Sequence, residues 1–289
     1  MKKYVLLIVN PISGGLEKSD IIQETAAFVE KIGRKLVIYE TSGKKDIPNI
    51  QELFTKFNPE RVIIAGGDGT IKVVAEALEN EDIIFGILPA GSANGLATDL
   101  NLLKTIHECL QIAFKDYFIA IDMIEINGAN SLHLSDLGLN AELIKNYENS
   151  AVRGKIGYAL QAVTTLIERE DPFTAVIHVN GTTIECVAQM IVIANSKKYG
   201  TGVVINPSGL MDDGKFELII LKNLDLVVLG KIISGNMPID VNDIQIISSN
   251  KANIAVSRPV NFQIDGEYRG LQTELNINIS PKKIKIAIP

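Results

Sequence analysis

One short stretch, residues 61–70, combines the residue types that bind phosphate. Val62 to Ala65 is a β-branched apolar run that predicts a buried strand, and three glycines surround Asp68 directly after it. The apolar residues that follow recur at helical spacing, so the order is strand, glycine turn and helix. Glycines in such a turn allow positive φ and close approach of a ligand to the backbone. The free N–H groups at the helix start attract phosphate.

Asp68 needs a separate explanation, because a bare carboxylate repels phosphate. A divalent cation between the two would supply one, and so would a role in accepting a proton. Two other interpretations stay open at this point. One is a purely structural turn in which Asp68 acts as a cap, and the other is a dinucleotide-binding turn, although the spacing here differs from Gly-x-Gly-x-x-Gly.

Two more glycine-bearing loops follow predicted strands. Asn10 to Gly15 comes directly after the apolar run Tyr4 to Val9, and residues 89–95 come directly after Ile83 to Leu88. Ligands bind beyond the carboxyl ends of the strands in open parallel sheets. We therefore expect the three loops to form one site at one edge of a sheet.

The surrounding pattern predicts two domains. Strands alternate with helical segments of about 10–15 residues as far as residue 115, which is typical of an α/β fold with a doubly wound parallel sheet. We place this nucleotide-type domain at residues 1–125. Residues 126–289 are expected to form a β-rich, antiparallel sandwich-like domain, whose last strands could return to the first domain. Its predicted strands are 131–139, 173–179, 182–194, 214–221, 243–249, 252–256, 260–264, 273–279 and 282–288, and its predicted helices are 141–148, 156–167 and 224–233.

Composition excludes several classes of function. The chain has 289 residues, of which 46% are hydrophobic, and a net charge of −6, which argues against broad nucleic-acid binding. Its two cysteines have no metal-ligand spacing and suit a reducing cytoplasm. No apolar stretch approaches about 20 residues, so we expect no membrane span.

Five motifs, taken in order, resemble the diacylglycerol kinase and sphingosine kinase type of lipid kinase in its soluble bacterial form. The motifs are Asn10 to Gly15, Gly66 to Thr70, Leu88 to Asn94, Asp212 to Glu217 and Asp265 to Glu267. The match covers essentially the whole chain, whereas the Gly-Gly-Asp-Gly turn alone is shared with NAD kinases. The resemblance implies transfer of the ATP γ-phosphate to the hydroxyl of a diacylglycerol-like or sphingoid-like lipid, in the cleft between the two domains.

The resemblance also implies roles for individual residues. Asp68, Asp265 and Glu267 match the catalytic positions, with Glu267 taking the proton of the lipid hydroxyl. Asp68 and Asp122 match the carboxylates around the catalytic Mg²⁺, and Leu210, Asp213 and Lys215 match the ligands of a second, structural Mg²⁺. The residues that match the ATP-binding loops are Asn10, Ser13, Gly14, Thr41, Gly66, Gly67, Asp68, Gly69, Thr70, Gly91, Ser92 and Asn94.

The chain departs from the family pattern at two positions. Lys72 stands in the first turn of the helix after the glycine motif, where a positive charge opposes the helix dipole unless it reaches phosphate. Gly95 replaces an aspartate that many relatives carry. Two alternatives therefore remain: an enzyme resembling the NAD kinases, and a lipid- or nucleotide-binding relative with weakened catalysis.

The expected partners and location follow from the same resemblance. We expect a cytoplasmic protein that reaches the membrane surface transiently to meet its lipid substrate, uses ATP, and binds no nucleic acid. A homodimer is compatible with the sequence.

Overall fold

The computed structural model describes residues 3–15, 17–92, 94–138, 141, 171–198, 204–222 and 243–289. The chain forms two compact units. The first contains residues 1–122, 200–202 and 281–289, and the second contains residues 123–199 and 203–280. The three helices expected in the second half lie outside the described residues, apart from Ala141 at the start of the first of them.

A parallel sheet forms the centre of the first unit. Its strands are β1 (Tyr4–Val9), β2 (Lys35–Glu40), β3 (Arg61–Gly66) and β4 (Ile84–Pro89), and β5 (Phe118–Ile126) leads into the second unit. The order in space is β4-β3-β1-β2, with every neighbouring pair parallel. The last residues of the chain extend this sheet, because Lys285 pairs with Ile84.

Helices follow the strands in sequence, as the alternating pattern predicts. They are α1 (Ser19–Lys31), α2 (Asp46–Phe57), α3 (Asp68–Ala77), α4 (Gly95–Asp99) and α5 (Ile106–Ala113). Val5, Leu7 and Val9 of β1 share one apolar cluster with residues of α1 and α5. Leu6 and Ile8 point to the opposite face and are also fully buried. Both faces of the sheet are therefore covered, which confirms the α/β prediction for this half of the chain.

The second unit consists mainly of antiparallel strands in the part of it that the structure describes. The strands are β6 (Ala129–Ser131), β7 (Leu134–Gly138), β8 (Phe173–Val179), β9 (Thr182–Ala188), β10 (Met190–Ala194), β11 (Phe216–Leu221), β12 (Ile244–Ser249), β13 (Lys251–Ile264) and β14 (Glu267–Ala287). Their order is β12-β11-β10-β7-β13-β14, with β8 paired to β13 and β9 paired to β8. Alternate residues of these strands form one large apolar core, and the prediction of a β-rich second half is confirmed.

Several predicted strand boundaries were wrong. The segments 252–256 and 260–264 form one long strand, β13, which absorbs Pro259 at a shift of register. The segments 273–279 and 282–288 likewise join in β14, which also takes in Pro281. Conversely, Gln189 interrupts the segment 182–194 and separates β9 from β10. Proline and polar residues are turn signals in a sequence, but long antiparallel strands accommodate them at irregular positions.

The structure describes no helix that is long and apolar enough to cross a membrane.

Candidate functional site

Three loops of the first unit meet at the carboxyl ends of β1, β3 and β4. Strand β3 lies between the other two, so the residues that follow all three strands share one edge of the sheet. The backbone N–H of Asn10 donates to the carbonyl of Ala65 at 3.0 Å, and that of Ala90 donates to the carbonyl of Gly66 at 2.9 Å. The three predicted motifs are therefore in contact, although they are up to 80 residues apart in sequence.

Side chains of the first loop connect it to the other two. Asn10 Nδ2 donates to Thr70 Oγ1 at 3.2 Å, and Asn10 Oδ1 accepts from the backbone N–H of Ile12. The hydroxyl of Ser13 donates to the carbonyl of Ala90 at 2.9 Å. Asn10, Ser13 and Thr70 thus lie together, as the sequence predicts, and their contacts fix the shape of the loop.

Gly14 is a position that only glycine fits. Its φ is +64°, and a Cβ atom there would lie 2.7 Å from the carbonyl oxygen of Ala90. A side chain would be strained by the backbone conformation and would also push the first loop away from the third.

The turn after β3 needs glycine because of crowding, and not because of the positive φ that we expected. Gly66, Gly67 and Gly69 do not have positive φ, and φ is −99° at Gly67. The requirement arises from crowding at Gly66, where a Cβ atom would lie 2.4 Å from Thr70 Oγ1. The expectation of positive φ in this turn is therefore wrong, and close approach of a ligand to its backbone stays a prediction.

Asp68 binds the start of a neighbouring helix. It is the first residue of α3, yet its carboxylate accepts the N–H of Gly95 at Oδ2 (2.8 Å) and the N–H of Leu96 at Oδ1 (3.1 Å). A negative charge at the N-terminus of α4 is favoured by the helix dipole. These two bonds hold the carboxylate of Asp68 at the sheet edge where the three loops meet.

The third loop is held by the amide of Asn94. Its Oδ1 accepts from the N–H of Gly91 at 2.9 Å, and its Nδ2 donates to the carbonyl of Gly91 at 3.0 Å. Ser92 lies between them in sequence and is exposed. Asn94 therefore shapes the loop, while Ser92 is accessible to a ligand.

Thr41 follows β2 at the same edge of the sheet. Its N–H donates to the carbonyl of Val9 at 2.8 Å, and the residue is half-buried. The structure thus places it beside the end of β1, next to the loop that begins at Asn10.

Asp122 is fully buried in β5, and its carboxylate lies 2.8 Å from the ammonium of Lys283. The strand alternation left open whether Asp122 faces solvent, and the structure shows that it does not. Lys283 already balances its charge, so Asp122 is a weaker candidate for holding a cation than Asp68. Lys72 is also buried, with 4% of its surface exposed.

Asp265 and Gly266 form the tight turn between β13 and β14. Both have positive φ, 51° and 85°, which is typical of a type I′ hairpin. The carboxylate of Asp265 accepts three hydrogen bonds, from Ser131 Oγ (2.9 Å) and from the backbone N–H groups of Leu132 (3.0 Å) and His133 (2.9 Å). These three bonds hold the turn against the segment before β7.

Glu267 begins β14 immediately after this turn. Its side chain is 49% exposed and lies 2.7 Å from the guanidinium of Arg269. Of the two predicted catalytic carboxylates in the second unit, Glu267 is the more accessible one.

The predicted structural Mg²⁺ site lies in an exposed turn before β11. Asp213 Oδ1 accepts from the N–H of Lys215 at 3.0 Å, and Gly214 has a φ of 77°. Within the described residues, no group of three or more His, Cys, Asp or Glu side chains could hold a metal ion. The site at Leu210, Asp213 and Lys215 stays a prediction.

Sequence reasoning missed Lys18, which stands immediately before α1. Only 4% of its surface is exposed, and its Nζ donates to the carbonyl of Ser13 at 2.6 Å. Burial lowers the pKa of Lys18. The only signal in the sequence is a lysine one residue before a helix, which is too common to single out.

Comparisons with known proteins show which family this chain is similar to. The family model of the diacylglycerol kinase catalytic domain matches residues 4–126, and that of the YegS C-terminal NAD kinase beta sandwich-like domain matches residues 136–288. A Pectobacterium atrosepticum protein named "Probable lipid kinase YegS-like" is 27% identical over 299 residues, which cover 98% of this chain and 95% of that protein.

Two solved structures share the fold. A diacylglycerol kinase from Bacillus anthracis superposes with a TM-score of 0.78 at 20% identity, over 100% of this chain and 97% of that one. An NAD kinase from Archaeoglobus fulgidus in complex with ATP superposes with a TM-score of 0.59 at 13% identity, over 98% and 93%. The resemblance based on five motifs is thereby confirmed at the level of the family. This chain belongs to the YegS-like lipid kinase family, and it joins a diacylglycerol kinase catalytic domain to a YegS C-terminal NAD kinase beta sandwich-like domain.

Proposed function

We propose that this protein transfers the γ-phosphate of ATP to the hydroxyl of a diacylglycerol-like or sphingoid-like lipid, with Mg²⁺. The observation that carries the proposal is the contact of three loops, made by the bonds from Asn10 to Thr70, from Ser13 to Ala90 and from Gly95 to Asp68. Backbone N–H groups and glycines converge there at one sheet edge, where phosphate binding is favoured.

Asp68 is the residue that would hold Mg²⁺ together with the ATP phosphates. Mg²⁺ prefers oxygen ligands, keeps several waters and needs only one or two carboxylates from the protein. Asp68 supplies one such carboxylate, at the sheet edge where the three loops meet. When bound, the ion would neutralise phosphate charge; the protein positions the phosphates through Asn10, Ser13 and the glycine turn.

Glu267 is proposed as the general base. A lipid hydroxyl is a poor nucleophile, so a positioned carboxylate that accepts its proton accelerates the transfer. Arg269 Nη2 donates to Glu267 Oε2 at 2.7 Å, which limits the orientations open to the carboxylate. Asp265 holds the turn that carries Glu267, and its three bonds assign it to positioning rather than to proton transfer.

A lipid acceptor is favoured over NAD by the match of residues 4–126 to the diacylglycerol kinase catalytic domain. The likeness to an NAD kinase, at 13% identity, concerns the fold. The proposed substrate is therefore amphiphilic and lies at a membrane surface, where the protein would meet it transiently from the cytoplasm.

The test is phosphate transfer from labelled ATP in the presence of Mg²⁺. Acceptors are diacylglycerol, monoacylglycerol, ceramide and sphingosine in mixed micelles, with NAD as a separate arm and products identified by mass spectrometry. We expect a labelled lipid and no NADP. Transfer to NAD alone would replace the proposal with the NAD kinase function, and ATP binding without transfer to any acceptor would identify a relative that has lost catalysis.

The base is tested with Glu267→Gln, which keeps the shape but cannot accept a proton. The rate constant kcat should fall by about 10²–10⁴-fold, while ATP affinity stays near that of the wild type. Glu185→Gln, at an exposed position of β9, is the matched control and should have the wild-type rate. Equal rates for both variants would remove Glu267 from the mechanism.

A further inference from the structure

Lys18 occupies a position that helix stability disfavours. It is the N-cap residue of α1 and makes no side-chain capping bond, and a positive charge there faces the positive end of the helix dipole. Burying an ammonium group carries a further cost, and the pKa of Lys18 is lowered by that burial.

One hydrogen bond of Lys18 reaches the first glycine-bearing loop. Its Nζ donates to the carbonyl of Ser13, whose hydroxyl in turn donates to the carbonyl of Ala90. The next residue, Gly14, packs directly on Ala90 without room for a Cβ atom. A continuous path of contacts thus runs from Lys18 through Ser13 to the third loop.

We propose that Lys18 is a positioning residue for the nucleotide, which holds the loop Asn10 to Gly15 against Ala90 in the conformation that binds the phosphates. This inference rests on the proposed ATP site and adds to it a residue from outside its motifs. A charged donor suits the role, because hydrogen bonds from charged groups are about twice as strong as neutral ones. Its charge also lies directly against the loop that would meet the negative phosphates.

The experiment measures the Kd of a non-hydrolysable ATP analogue with Mg²⁺ by calorimetric titration of the full chain. Lys18→Met removes the donor and keeps the length, and we expect it to raise Kd by about tenfold or more, the usual effect of losing a charge-assisted bond. Lys18→Arg keeps a charged donor and should restore much of the affinity. Lys31→Met, at the exposed end of α1, is the control and should bind as the wild type does.

The melting temperature Tm, measured for each variant, separates positioning from a structural role. The inference predicts a weaker affinity for Lys18→Met with little change in Tm, and partial rescue by Lys18→Arg. An unchanged Kd would overturn it, and so would a loss of affinity that follows a comparable loss of Tm and is not rescued by arginine. Failure of the wild type itself to bind the analogue would refute the proposed ATP site, and this inference with it.

Discussion

Replacing Asp68 by asparagine should affect stability and activity through separate contacts. The carboxylate accepts one N–H at each oxygen, from Gly95 and from Leu96. Asparagine has a single acceptor oxygen, so one of these N–H groups would face an amide NH₂ instead. The same change removes the negative charge from the start of α4 and from the proposed Mg²⁺ site.

The loss of stability can be worked out from these contacts. An unsatisfied buried donor costs about 1–3 kcal/mol, and loss of a charge at a helix N-terminus costs about 0.3–1 kcal/mol. Asp68 is only half-buried, so water replaces part of the lost bonding, and we expect a total of about 1–2 kcal/mol. At roughly 2–4 °C per kcal/mol, Tm should fall by about 2–8 °C.

The loss of activity should be much larger. Removal of a group that stabilises charge in the transition state typically costs about 10²–10³-fold in rate. The assay is lipid phosphorylation over a series of Mg²⁺ concentrations, with Tm measured on the same preparation. Asp20→Asn is the matched control, because Asp20 also lies in the first turn of a helix, α1, but is exposed; it should change Tm and activity little.

Each outcome for Asp68→Asn tests a different part of the reasoning. A lower Tm with full activity and normal Mg²⁺ dependence would make Asp68 a structural cap, which is the interpretation that the sequence left open. An unchanged Tm would show that the bonds to Gly95 and Leu96 contribute nothing measurable to stability.

Three further predictions, made with four substitutions, test the loops and turns. Gly14→Ala and Gly15→Ala both place a side chain at a φ of 64°, but only the first meets Ala90, so titration with the ATP analogue should show weaker binding for Gly14→Ala alone. Asp265→Asn should lower the free energy of unfolding in urea by about 1–3 kcal/mol and leave the Kd of the ATP analogue unchanged, since the three donors need a carboxylate. Partial burial raises the pKa of Asp46, but hydrogen bonds from Ser42, Tyr39 and Gly43 outweigh it and hold the pKa below its usual value. Its contribution is therefore present at pH 7 and is lost as the pH falls through the lowered pKa. Asp46→Asn should be less stable than the wild type at pH 7, and the difference should shrink as the pH is lowered into the acid range, when both are unfolded in urea.

The meeting of the three loops could be predicted from sequence for a geometric reason. Each motif follows an apolar run directly, and parallel strands bring their carboxyl ends to the same edge. No information about partners was needed, because chain direction alone decides which end of a strand carries the loop. The bonds from Asn10 to Thr70 and from Ser13 to Ala90 are consequences of that arrangement.

The partners of the charged groups could not be predicted in this way. Asp122 pairs with Lys283, 161 residues later, because the end of the chain returns to the first unit. Alternation along β5 shows only that Asp122 lies on one face or the other. Which cationic side chain pairs with Asp122 depends on the order of the strands in the sheet, and sequence patterns do not determine that order. For the same reason, neither the burial of Lys18 nor its bond to Ser13 could be predicted from the sequence.

Gly95 illustrates how a departure from a family pattern changes meaning once the contacts are known. By the resemblance to lipid kinases, Gly95 stands where an aspartate would be expected, which suggests a weakened metal site. In the structure the backbone N–H of Gly95 donates to Asp68, and every residue type except proline supplies that donor. The substitution therefore leaves the positioning of Asp68 intact and removes only one negative charge near it. We therefore expect Gly95 to raise the Mg²⁺ concentration needed for turnover without displacing Asp68. Turnover by the wild-type chain should accordingly rise to its full value at saturating Mg²⁺.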